Sequence, residues 1–144
     1  MILCDVNVFV HAHKEGTDRH ADYQRWLTDA LEGDEPFGVS EYVLSSVVRI
    51  VTNRRAFDPP SSLDEALEFV AVVRSHPNAT CVTPGSRHWD IFTRLCRDAG
   101  AKGNLVPDAY LAALAIESGG EWVTTDRDYA RFSGLRWRHP LDSA

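Results

Sequence analysis

Short apolar segments alternate with stretches of helical periodicity along the chain, and this alternation restricts the fold more than any other feature. Residues 1–4 (MILC) read as a buried strand, long enough for a sheet and too short to cross a membrane. Residues 19–31 then place Tyr23, Trp26, Leu27, Ala30 and Leu31 on one side of a helix. Residues 36–39 read as a second strand, and Ser40 as the N-cap of a helix running to about Thr52. Ser62-Leu-Asp-Glu65 has the capping-box form ahead of Ala66, Leu67, Val70 and Val73. Residues 80–83 are β-like, and the PGS that follows signals a turn before a helix over 87–99 that Gly100 stops. Pro107 at the first helical position opens a helix to about Ser118, ended by Gly119 and Gly120. Residues 121–125 read as a strand, 127–132 as a short helix and 135–138 as a last strand. Strands separated by helices imply βαβ units, so the expected class is α/β, with a mainly parallel sheet covered on both faces.

The length of 144 residues and a hydrophobic share of 44% suit one domain, expected to span 1–144, with a proper core. No basic leader precedes an apolar run, and no run reaches membrane-spanning length, so a soluble, untargeted protein without a membrane partner is expected. Three widely spaced cysteines, Cys4, Cys81 and Cys96, argue against a disulfide framework or a zinc site and fit a reducing cytoplasm. The formal net charge of −6 argues against nonspecific coating of nucleic acid, while leaving room for one local basic patch.

In parallel α/β sheets the ligand site lies beyond the carboxyl ends of the strands, where the topology switches direction. Two acids stand at such places: Asp5 after MILC and Asp126 after EWVTT. Glu41 and Asp108 stand at helix beginnings. Asp108 shares a face with Leu111, Ala112 and Ala115, and that face should be the buried one. Glu41 heads a comparable row through Leu44, Val48 and Val51, which directs its carboxylate along the sheet; Glu117 falls on the side opposite Asp108, toward solvent. Each acid also has a purely structural explanation. Asp108 and Glu41 complement helix dipoles. Asp128 completes a capping-box pattern with Thr125, which leaves Asp126 open to either reading. Asp5 is the hardest to explain structurally, because no helix is expected to begin there and Asn7 follows as a second polar group.

If these acids converge, two like charges about 4 Å apart repel by roughly 4 kcal/mol at an effective dielectric of about 20. Several such pairs would offset much of a domain's stability of about 5–15 kcal/mol. A divalent cation removes the conflict, and oxygen-only ligands without a His or Cys cluster select Mg²⁺ or Mn²⁺ over zinc. Such an ion activates water and neutralises phosphate charge, so hydrolysis of a phosphodiester is the expected chemistry.

A strand ending in Asp with Asn two residues on (MILCDVN), an acid at a helix start, an NLVPDAYLAALAIE helix and a TTDRDYARF segment together resemble the PIN-domain ribonucleases, in particular the VapC toxins of type II toxin–antitoxin systems. The resemblance runs over essentially the whole chain. SVVRIVTNRR is further similar to a VapC subgroup abundant in mycobacteria with a Thr-Asn-Pro-Arg signature, and Arg54 stands where that subgroup has proline. The resemblance implies a PIN-like α/β/α sandwich and a Mg²⁺-dependent endoribonuclease (Mn²⁺ being the alternative ion) that cleaves structured RNA such as tRNA or rRNA. It implies a homodimer and a VapB-type antitoxin. It carries Asp5, Glu41, Asp108 and Asp126 over as the acidic quartet, with Asp5, Asp108 and Asp126 as metal ligands and Asn7, Thr125 and Asp128 in support. Many PIN domains place the second acid deeper in the Glu41 helix, near Ser45 and Ser46. Arg49, Arg54, Arg55 and Arg127 are candidates for the RNA backbone.

Two rivals follow from the same residues. A phosphatase with an aspartyl nucleophile wants Asp-x-Asp, and residue 7 is Asn. A PIN-like domain that binds RNA or protein without cutting is disfavoured by the retained acids.

Overall fold

The computed structural model describes residues 1–142. Five strands, β1 (Ile2–Cys4), β2 (Phe37–Val39), β3 (Ala79–Cys81), β4 (Glu121–Val123) and β5 (Trp137–Arg138), form one sheet in the order β3-β2-β1-β4-β5. Every pairing is parallel. Six helices connect them: α1 (Val6–His13), α2 (His20–Glu32), α3 (Glu41–Val51), α4 (Leu63–Arg74), α5 (His88–Ala99) and α6 (Leu105–Ser118). A 3-10 turn, Arg127–Arg131, lies between β4 and β5. The sheet grows from β1 toward β3 and then resumes on the other side of β1 at β4. Right-handed crossovers therefore place α1 to α4 on one face and α5 with α6 on the other. The point where the order reverses lies between β1 and β4, and Asp5 and Asp126 follow those two strands.

The helices begin where local chemistry allows. Ser40 caps α3 by accepting from the Val43 N–H, and Ser62 and Glu65 form the expected capping box at α4. α6 starts two residues before Pro107 rather than at it, which puts Asp108 in its first turn all the same. No helix is expected at Asp5 from the sequence, and here the structure corrects the expectation: α1 starts directly after it, with Asp5 as the N-cap. The residues of α1 are mostly β-branched or aromatic, weak helix formers, and Val8, Phe9, Val10 and Ala12 are all buried, so no polar face announces the helix.

The core runs along the sheet from Leu3, Phe37 and Trp122 into Phe9, Val47, Leu95 and Leu114. α6 contributes a run of small side chains, Ala109, Ala112, Ala113 and Ala115, all fully buried. Among the described residues no helix is long and apolar enough to cross a membrane. Gly120, between α6 and β4, lies against Leu3 and the Met1 carbonyl so closely that a Cβ would collide with Leu3 Cδ1. Leu3 is itself 1% exposed and has no room to withdraw. Gly120→Ala is expected to destabilise the fold by about 1–3 kcal/mol, measured as a lowered midpoint in urea denaturation.

Candidate active site

Asp5, Asp108 and Asp126 line a single cavity of about 210 Å³, whose walls include Asn7 of α1, Tyr42, Ser46, Arg49 and Ile50 of α3, and Pro107 and Leu111 of α6. Asp5 is 7% exposed. Its Oδ1 accepts from the Val6 N–H at 2.7 Å, capping α1, and its Oδ2 accepts from the Thr124 hydroxyl at 2.7 Å. The same Thr124 Oγ1 accepts from the Asp126 N–H at 3.0 Å. One buried hydroxyl thus ties the end of β1 to the segment leaving β4. Asp126 in turn accepts from the Asp128 N–H at 2.9 Å and caps the 3-10 turn. Asp108 Oδ1 accepts from the Tyr129 hydroxyl at 3.2 Å.

Burial is the largest influence on Asp5. It outweighs the hydrogen bonds from Thr124 and Val6, the charges of Asp108 and Asp126 add to it, and the carboxyl is raised to about 6. Asp108 is also raised, first by burial, against the Tyr129 hydrogen bond and with the charges of Asp126 and Asp128. Burial and the charges of Asp5 and Asp108 push the Tyr129 phenol well up, so it stays a neutral donor.

The structure does not bring Glu41 into this cavity. Tyr42, Ser46, Arg49 and Ile50 form the helix face that lines it, at steps of four, seven and eight residues from Tyr42. Glu41 belongs to the row with Leu44, Ser45 and Val48, and that row faces α4. Its carboxylate is an exposed partner of Arg74 at 2.9 Å rather than being directed along the sheet toward the acids. On α3 the place facing the acids is held by Ser46.

Asn7 lines the cavity. Thr125 does not, and Asp128 contributes its backbone N–H to Asp126 while its side chain pairs with Arg131 at 3.8 Å. Of the four arginine candidates, Arg49 lines the cavity. Arg54 and Arg55 are exposed in the turn after α3, and Arg127 is held by both carboxylate oxygens of Asp142 at 3.0 and 3.3 Å. Glu117 is not simply solvated, since it accepts from the Gly85 and Arg87 N–H groups and fixes that loop.

Thr124 and Tyr129 are the residues that the sequence does not single out. A hydroxyl ending an apolar strand is a signal for Thr124, because buried hydroxyls need partners. Tyr129 has no such sign, since its contact with Asp108 joins residues 21 apart.

The donor set fits a hard cation: three carboxylates, a serine and an asparagine, with no His or Cys in the wall. Among the described residues no three acidic, His or Cys side chains close into a ready-made cage. Mg²⁺ is commonly bound by one or two carboxylates with its remaining positions left to water and phosphate, and the open cleft matches that habit.

The PIN domain family profile matches residues 2–135. Over 142 residues the chain is 45% identical to ribonuclease VapC43 of Mycobacterium tuberculosis, covering 99% of this chain and 97% of that one. Ribonuclease VapC25 of the same species is 40% identical over 140 residues, covering 97% and 99%. The fold superposes on VapBC2 from Rickettsia felis, solved with a DNA fragment of its promoter, with TM-score 0.68 at 17% identity over 96% of this chain and 98% of that one. It also superposes on VapC20 of M. tuberculosis, a sarcin-ricin loop cleaving toxin, with TM-score 0.65 at 18% identity over 94% and 99%. At such identities the two solved structures speak to the fold alone.

The raised Asp5 carboxyl makes a prediction about stability. Its native pKa of about 6 exceeds the ordinary 3.8, so its contribution is fully present below pH 4 and is lost as pH rises through 6. That difference corresponds to about 3 kcal/mol. In EDTA, Asp5→Asn should match the wild type near pH 4 and exceed its stability by about 1–3 kcal/mol at pH 8, read by urea denaturation at both pH values. Equal curves at pH 8 would contradict the crowded-acid description.

Proposed function

The chain belongs to the PIN-domain family, and from that membership and the meeting of three aspartates in one cleft we propose that it is a divalent-metal-dependent ribonuclease toxin of the VapC type. The observation that carries the reading is the cleft itself, where Asp5, Asp108 and Asp126 share a space lined by oxygen donors and one arginine. Relatives sharing 40–45% of their residues over nearly the whole chain are named as ribonucleases, which supports the reaction class.

On this reading Asp5 and Asp108 hold Mg²⁺, or Mn²⁺ in its place, with Asp126 completing the acidic set. When bound, the ion supplies charge neutralisation at the phosphate and a source of hydroxide at neutral pH. The chain's own residues do the rest. Asn7 and Ser46 offer an amide and a hydroxyl across the cleft to orient water or a phosphate oxygen. Arg49 offers a cation on the wall opposite the acids, suited to the RNA backbone. Arg54 and Arg55 extend the positive charge past the end of α3, whereas Arg127 is engaged by Asp142. Glu41 has no part in the chemistry on this reading, because its carboxylate belongs to Arg74.

The partners proposed are structured RNA, a VapB-type antitoxin and a second copy of the chain, in a cytoplasmic setting. Several solved proteins with this fold are toxin–antitoxin complexes, and exposed Leu63, Leu67, Val72 and Trp89 leave apolar surface for association.

Incubation with total RNA and Mg²⁺ should yield discrete cleavage that EDTA stops. Asp5→Asn or Asp108→Asn should lower the rate by more than ~100-fold, beyond the range for a residue that merely supports a ligand. Cleavage that survives both substitutions would overturn the assignment. Binding measured across salt concentrations separates the arginines. Arg49→Ala should weaken RNA binding and flatten the slope of log affinity against log salt by about 0.7, one phosphate's worth on a single strand, while Arg127→Ala leaves the slope nearly unchanged.

A further inference from the structure

Asp108 stands in the first turn of α6 and Asp126 at the start of the 3-10 turn, with the rest of α6 and β4 between them in the chain. What joins them is Tyr129. Its ring is 1% exposed and is locked between Trp122 and Phe132, with centroids 5.6 Å from each. Its N–H donates to the Asp126 carbonyl at 3.3 Å, and its hydroxyl donates to Asp108 Oδ1 at 3.2 Å. A five-residue turn therefore carries one acid at its cap and grips the other through a phenol.

We propose that Tyr129 is the positioning residue for Asp108: its hydroxyl occupies Oδ1, fixes the side-chain rotamer and leaves Oδ2 as the single oxygen directed to the cleft. This rests on the reading of the cleft as a metal site and deepens it. The logic repeats at each acid. Asp5 is held by Val6 and Thr124, and Asp126 by Asp128, whereas among the described residues the donor to Asp108 is the Tyr129 hydroxyl. A carboxylate without that donor would sample other rotamers, and ordering it would have to accompany cation binding. The packing of the ring does not require the oxygen, because its neighbours there are Trp122 and Phe132. The hydroxyl is thus separable from the core function of the ring.

Tyr129→Phe tests this, since it removes the hydroxyl and keeps the ring. Mg²⁺ is titrated against the wild type, Tyr129→Phe, Asp108→Asn and the double variant, and the half-saturation concentration is read from the rise in melting temperature and from calorimetry, without RNA. Tyr129→Phe should raise half-saturation ~10-fold, the lower bound for groups that orient metal ligands. The substitution should add nothing in the Asp108→Asn background, because the hydroxyl acts only through that carboxylate. In RNA cleavage at saturating Mg²⁺, Tyr129→Phe should recover most of the wild-type rate with KM for RNA unchanged. Equal half-saturation in Tyr129→Phe and wild type would overturn the inference while the metal reading stands. An effect of the same size in the Asp108→Asn background would also overturn it, since the phenol would then act through the fold. A wild type indifferent to Mg²⁺ would overturn the metal reading and this inference with it.

Discussion

A carboxylate placed inside a sheet governs this molecule. Asp5 follows the central strand, is almost entirely shielded from water, and sits beside two other acids. Its retention rests on the Val6 N–H and the Thr124 hydroxyl, and these do not cancel the burial. Around it the topology gathers three carboxylates, a serine and an asparagine into one cleft. The reversal of strand order between β1 and β4 opens the crevice, and α3 and α6 close its sides. Thr124 is the keystone of this arrangement, donating to one acid and accepting from the backbone of another.

Much of this was legible in the sequence because it depends on local signals. The segments MILC and EWVTT each lead into an acid, capping residues such as Ser40 and Ser62 mark helix starts, and glycines mark their ends. The parallel sheet follows from that alternation. What was not legible depends on how rows of side chains rotate about a helix. Glu41 opens α3 and Ser46 lies midway along it; an offset of five residues puts them on different faces, and no local pattern says which face meets α1 and which meets α4. The role of Tyr129 was hidden for a similar reason. Its ring reads as core, and the destination of its oxygen is set by how α6 packs beside the 3-10 turn.

The absence of Glu41 from the cleft changes its charge balance. The α3 wall offers a hydroxyl, a phenol and a guanidinium where a fourth carboxylate was expected. Several arginines elsewhere are paired with acids: Arg74 with Glu41, Arg127 with Asp142, Arg131 with Asp128 and Arg138 with Glu121. On a chain of net charge −6 this leaves Arg49 facing the acids across a narrow space. A polyanion approaching the cleft would meet attraction from that wall and repulsion from the other, and such asymmetry fixes how a strand lies.

The alanines of α6 bear on all of this as a gauge. Ala109, Ala112, Ala113 and Ala115 let the helix settle close upon its neighbours, and Asp108 rides on the same helix. Interiors packed at crystalline density do not absorb an added methyl by local adjustment. A bulkier side chain at one of these positions would lift the helix axis and carry Asp108 away from Asp5 without touching either. The spacing of the acids in the cleft is therefore written partly in residues whose only contribution is to be small.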